Sequence, residues 1–185
     1  MACDLTSGRL LDDCLVGRAG LKTLFFINLN DWLSNNITIV AGEVTIVTGG
    51  TALTAYRFEL ADNVGNWEQA VTGSNENGTS FVEQTLLLTL FAIKPADLAD
   101  LDSLKRGRWV CIALDFQDEM RVFGIKNGVT AIGGSDMSGT AAGDKKGLDL
   151  NFSAQENDYA VFMDAFTTYP FDNFVTITPS PAYPV

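Results

Sequence analysis

The sequence predicts a mainly β fold: an antiparallel β-sandwich or barrel with one short α-helix flanking it. Three observations lead there. Short runs dense in aromatic and β-branched residues recur from Leu21 to Phe152, separated by clusters of Gly, Asn and Asp that read as turns. A helical stripe is firm in one segment, Pro95 to Lys105. A chain of 185 residues, 46% of them hydrophobic, holds enough apolar material for one core, and neither a linker nor an internal repeat divides it.

Taken in order, the run L-K-T-L-F-F-I-N-L from Leu21 reads as a buried strand closed by Asn30 and Asp31. Asn36 to Thr48 is dense in Ile, Val and Thr, and Gly49-Gly50 is expected to turn it as a hairpin into a strand through Leu60. On that strand Ala52, Thr54, Tyr56, Phe58 and Leu60 share one face, Arg57 and Glu59 the other. Asp62 to Ser80 is turn-rich around the single anchor Trp67, a long surface excursion or a loose hairpin. Thr79 to Lys94 is the longest strand candidate, with apolar residues on both faces and both expected to be buried at its far end; periodicity alone also admits a helix for its Leu-rich stretch.

The helix is placed at about 95–106. Pro95 suits a first turn, Asp97 complements the N-terminal dipole, Leu98, Leu101 and Leu104 form one stripe, and Lys105-Arg106-Gly107 closes it. Strands follow at Arg108 to Asp115 and Met120 to Ile125 about a turn at Gln117-Asp118, with a further turn at Asn127-Gly128. The Gly-, Ser- and Thr-rich stretch Ala131 to Gly147 is expected to be a functional or mobile loop. Then Leu148, Leu150 and Phe152 alternate with Asp149, Asn151 and Ser153, apolar in and polar out. A late aromatic run, Tyr159, Phe162, Met163, Phe166 and Phe171, is expected to dock on its own sheet or on the next copy. The organisation expected is an N-terminal arm at 1–20, a β-rich domain at 21–169 and an extended Pro-rich tail at 170–185.

Composition excludes several functions. A formal net charge of -11 opposes any mode of nucleic-acid binding that neutralises phosphates with clustered Lys and Arg. The absence of His removes Ser-His-Asp and Cys-His mechanisms and His-ligated metals. No stretch reaches the length of a membrane span, and the charges within Met1 to Gly20 fit neither a signal peptide nor an anchor, so folding in a cytoplasm is expected. Cys3, Cys14 and Cys111 lack the spacing of a zinc site; Cys111 reads as a core residue, and Cys3 and Cys14 as free thiols, although they bracket a loop in which they could meet. The loop from Gly133 lacks the ending of a phosphate-binding motif. Asp115, Asp118 and Glu119 could form a hydrolytic pair or a calcium site, but a turn between strands requires Asp in any case. Trp32, Trp67, Trp109, Tyr56, Tyr159 and Tyr169 could stack on sugar or fill a core. No catalytic residue, cofactor site or metal site is expected, and the chain is read as not an enzyme.

The words R-G-R-W-V-C-I-A-L-D-F-Q-D, F-G-I-K-N-G and G-T-A-A-G-D-K-K-G-L-D-L-N-F, following the short helix in that order, resemble the tail tube (major tail) proteins of long-tailed bacteriophages. The resemblance is best over Lys94 to Phe152. It implies a small β-sandwich with a flanking helix that forms hexameric rings, which stack into a hollow virion tail tube whose inner wall is a continuous β-barrel carrying DNA at ejection. The partners implied are further copies of the chain, other phage tail proteins and DNA in non-specific transit, after synthesis in the host cytoplasm. An acidic wall suits that passage because it repels phosphate. Glu59, Asp149, Asn151 and Ser153, each on the polar side of an alternating strand, are the candidates to face the lumen. Rival expectations are a tail terminator, adaptor or head decoration protein, and a carbohydrate-binding or hydrolytic β-sandwich domain.

Overall fold

The structure is a computed structural model in which residues 8–9, 17–74 and 76–183 are described. The chain is mainly β and builds two sheets that face each other, as a sandwich requires. Cys3 and Cys14, and with them most of the expected N-terminal arm, lie outside the described residues.

Strand β1 (Leu21–Asn28) lies inside the eight-stranded large sheet, between β4 (Leu53–Glu59) and β7 (Trp109–Asp115), both antiparallel to it. Its run Leu24-Phe25-Phe26-Ile27 is fully buried because both faces of the sheet are covered. Beyond β7 come β8 (Met120–Phe123), β11 (Val161–Met163), β3 (Glu43–Thr48) and β2 (Asn36–Val40); β12 (Ile177–Ser180) lies parallel to β4 at the other edge. The small sheet has the order β5 (Asn66–Ser74), β6 (Thr79–Phe91), β10 (Gly147–Glu156), β9 (Thr130–Met137), antiparallel throughout.

Period-2 alternation sends the large sheet's side chains into two cores. One face gives Phe25, Ile27, Ile112 and Val122 to a core that also holds Trp32, Val47, Phe171, Phe174 and Ile177. The other gives Leu24, Phe26, Cys111 and Phe123, which meet Leu86, Leu88, Leu150 and Phe152 of the small sheet and Leu101 and Leu104 of helix α2 (Leu98–Leu104). The large sheet bends around the first core: Thr176, next to β12, accepts the Leu53 N–H at 2.8 Å, and its hydroxyl donates to the Val47 carbonyl of β3 at 2.8 Å. A 3₁₀ turn at Pro95–Asp97 leads into α2, and the Trp109 indole N–H donates to the Leu104 carbonyl at 2.9 Å, tying the helix to β7.

Polar groups between the sheets are satisfied, as burial demands. Gln84 accepts the Gly124 N–H at 2.9 Å and donates to the Asp158 carbonyl at 3.3 Å. Glu156 accepts the backbone N–H groups of Lys126 and Asn127 at 3.0 and 2.7 Å, fixing the turn after β8. Cys111 is buried as expected, and burial pushes its thiol well above the usual range.

Several expectations are corrected. The hairpin turn is at Ala41-Gly42, not Gly49-Gly50: both residues have positive φ, 53° and 87°, and join β2 to β3. Gly50 serves a close approach instead, since a Cβ there would lie 2.4 Å from the Ser34 carbonyl oxygen after helix α1 (Leu29–Leu33), an element absent from the sequence reading. On β4 the deeply buried residues are Leu53 and Ala55, while Thr54 and Tyr56 are exposed. The excursion at 62–80 is a regular hairpin of β5 with β6. β6 buries one face, and Phe81, Leu87 and Phe91 on its other face are half-buried or exposed. Half of the expected 131–147 loop is strand β9. Phe162 lies on strand β11, and the tail expected at 170–185 enters the first core through Phe171, Phe174 and Ile177.

Candidate functional site

The small sheet presents one face to the core and one to solvent. Its register assembles the solvent face from Asn66, Glu68 and Thr72 on β5, Glu83 and Thr85 on β6, Asp149, Asn151, Ser153 and Gln155 on β10, and Ser135 on β9; Thr89 has the same register side but is buried beside Asp149. Phe81, Leu87 and Phe91 share that face. Three of the four residues expected to face a lumen, Asp149, Asn151 and Ser153, are therefore neighbours on one sheet face. Glu59 is not among them; it ends β4 in the large sheet, largely exposed, with Arg57 at 3.6 Å.

The wall is polar and acidic. The Ser153 hydroxyl reaches Glu83 at 3.4 Å, the Thr89 hydroxyl donates to Asp149 at 2.6 Å, and the Lys145 ammonium pairs with Asp149. Partial burial pushes the Asp149 carboxyl up, but the hydrogen bonds from Lys145 and Thr89 and the charge of Lys145 outweigh it and hold the carboxyl below the usual range. Glu68 and Glu83 have no cationic partner within 4.0 Å among the described residues. The face carries Glu68, Glu83 and Asp149 among hydroxyls, amides and the apolar Phe81, Leu87 and Phe91.

Among the described residues no strand covers either edge of this sheet. Among the described residues β5 pairs with β6 alone and β9 with β10 alone. Val71 on β5 is 57% exposed and Ile132 on β9 is 65% exposed. Ile132 is turned out where the β9–β10 register shifts between Asn151 and Phe152. Neither edge strand carries a Pro or Lys, the residues that usually block edge pairing. The sequence reading missed this pair of edges because it took the Gly-rich half of β9 for loop; the usable signal was Thr130-Ala131-Ile132 directly after the Asn127-Gly128 turn.

Compared with protein-family models, with curated proteins and with solved structures, the chain matches none.

The other candidate groups are occupied locally. The Asp115 carboxylate accepts the N–H groups of Gln117 and Glu119 at 2.8 and 2.9 Å and so caps its own turn, and Asp118 pairs with Lys22 at 3.1 Å. No group of carboxylates and cysteines suited to a metal ion occurs among the described residues. Trp32 is buried in the first core, while Trp67 packs on Phe123 and Trp109 lies edge-on to Tyr56 at the second, so the three indoles share no platform. Among the described residues no helix is long and apolar enough to cross a membrane.

Proposed function

We propose that the chain is a self-assembling structural subunit, the tube protein of a phage tail, and that its small sheet is one segment of the tube wall. The observation that carries this is the pair of open edges. In an antiparallel sheet of four strands the edge strands run in opposite directions. Copies related by rotation about one axis therefore bring β9 of one beside β5 of the next, and the new pair is antiparallel like every pair within the sheet. The contact is heterologous, and rotation closes it into a ring.

Dimensions support the ring. Six copies with four strands each, spaced about 4.8 Å, make a wall roughly 115 Å around and roughly 37 Å across between backbones, and strand tilt widens it. After side chains are allowed for, that bore passes a DNA duplex. The core-covered face then points outward with the large sheet behind it, and the acidic face carrying Glu68, Glu83, Asp149, Asn151 and Ser153 lines the lumen.

The test of the lumen is charge reversal on the wall. Glu68→Lys with Glu83→Lys should leave tube morphology unchanged and slow DNA ejection at low salt, where attraction to phosphate is least screened. Glu59→Lys, on the other sheet, should leave ejection as it is. Equal ejection rates for all three proteins would remove the small sheet from the lumen.

A further inference from the structure

The pair Asn-Gly occurs twice in the chain, at Asn77-Gly78 and Asn127-Gly128, and every other asparagine is followed by a residue with a side chain. Glycine has no Cβ to shield its backbone nitrogen or to restrict its φ, so that nitrogen can swing onto the side-chain amide carbon of the residue before it. Asparagine places that carbon where a five-membered ring closes. Both asparagines are exposed, so access of water does not separate the two pairs.

Their anchoring differs. The Asn127 side-chain amide donates to the Gln155 carbonyl at 2.7 Å, its backbone N–H to Glu156 at 2.7 Å, and the Gly128 N–H to the Gly124 carbonyl at 3.0 Å. Gly128 is buried, a Cβ there would lie 2.9 Å from the Leu29 side chain, and the next residue, Val129, exchanges both backbone hydrogen bonds with Trp109. The attacking nitrogen and the amide are thus each held by bonds that the reaction has to break. At the tip of the β5–β6 hairpin the Asn77 backbone N–H reaches the Ser74 hydroxyl at 3.3 Å, but among the described residues nothing accepts from the Asn77 side-chain amide or the Gly78 N–H. Gly78 is exposed at a φ of 62°, and a Cβ there would meet nothing within 4 Å.

We propose that Asn77 is a site of spontaneous covalent modification in the folded protein, its amide converted to a carboxylate through a cyclic imide with Gly78, and that the fold withholds Asn127 from the same reaction. The Gly78 nitrogen attacks the Asn77 side-chain carbon; the new C–N bond forms as the bond to the amide nitrogen breaks, and that nitrogen leaves as ammonia with the Gly78 proton. One water then opens the imide at either carbonyl and restores a carboxylate, giving aspartate or isoaspartate. No oxidant, reductant or enzyme is needed. Either product adds a negative charge beside Glu76, and isoaspartate also routes the backbone through Cβ, lengthening the loop that the pairing of Ser74 with Thr79 closes. The site lies within one copy and does not depend on the tube reading.

The test holds the full-length protein at one mildly alkaline pH, folded in one sample and unfolded by urea in another, and follows both pairs over time by peptide mass spectrometry that separates isoaspartate from aspartate. In the folded sample Asn77 should convert, with isoaspartate among its products. Asn127 should convert roughly 100-fold more slowly, since freeing it opens three hydrogen bonds and each lowers the reactive population roughly fivefold. In urea the two rates should become alike. Asn77→Gln, which would have to close a larger ring, should stay unmodified over the same interval and keep the wild-type melting temperature. Equal rates at the two pairs in the folded protein would overturn the proposal. So would an Asn77 that converts only in urea, or one that yields aspartate with no isoaspartate.

Discussion

Placing a lysine on an open edge of the small sheet should uncouple assembly from folding, and Ile132→Lys is the sharpest case. Pairing β9, eight residues long, with β5, nine residues long, makes roughly eight backbone hydrogen bonds at about 1 kcal/mol net each. That gain of about 8 kcal/mol falls within the roughly 4–15 kcal/mol that association costs, so edge side chains decide the balance. Ile132 is 65% exposed in the single copy, and covering it is worth about 1–2 kcal/mol. A lysine there forfeits that gain and must itself be desolvated, a combined loss of about 2–3 kcal/mol, or roughly a 30- to 150-fold rise in the concentration needed to assemble. Within one copy the position faces solvent, so its folding stability should change by less than about 0.5 kcal/mol. Sedimentation velocity across a concentration series, paired with thermal melting, measures both quantities. An unchanged assembly threshold in a protein of unchanged melting temperature would refute edge pairing.

Three further outcomes test the fold that carries the edge. Glu156→Gln should destabilise by about 2 kcal/mol in denaturant titration, because the buried Oε1 that accepts the N–H groups of both Lys126 and Asn127 loses its charge, and the new amide NH2 meets the Asn127 side-chain amide donor where Oε2 stood. Phe171→Ala should cost about 3–5 kcal/mol, since the ring is buried edge-on against Phe25 at 4.8 Å, and truncation at Pro170 should abolish cooperative unfolding. Asp172 accepts the N–H of Thr168 at 2.7 Å and, on both of its oxygens, the single N–H of Thr167 at 3.1 Å; the Thr168 bond foremost holds its carboxyl below the usual range, against partial desolvation. A depressed folded value means stability present above about pH 3.9 and lost as pH falls through the folded value, so Asp172→Asn should flatten the acid limb of a melting-temperature profile.

What the sequence disclosed followed from strong local patterns. The aromatic run of β1, the Pro95 start of the helix with Leu101 and Leu104 of its stripe, and the hairpin through Cys111 each combine a periodicity with a boundary residue and appear in the structure, whereas Leu98, expected on the same stripe, is 56% exposed. Where two local signals competed, tertiary contacts chose between them. Gly49-Gly50 looked like the turn, but Gly50 is there because the Ser34 backbone packs against it, and Ala41 accepts a positive φ that its identity does not advertise. Asn30 and Asp31 suggest the end of a strand and instead fall within α1, whose Trp32 fills the first core. The end of the chain looked like an extended tail because Pro-rich composition hides the spacing of Phe171, Phe174 and Ile177, which acquires meaning once β12 lies beside β4. For the candidate wall, alternation placed Asp149, Asn151 and Ser153 on one polar face. Glu59 obeys the same alternation, but on a strand of the other sheet, and sheet membership is not written in a local pattern.

Negative-stain microscopy of the purified wild-type chain, with particle averaging end-on and in side view, tests the central claim most directly. Hollow tubes built from stacked rings, with a bore wide enough for duplex DNA and absent from Ile132→Lys at a concentration just above the wild-type threshold, are the result predicted. Discrete particles without a central channel at every concentration and salt, or tubes of Ile132→Lys at the wild-type threshold, would contradict it.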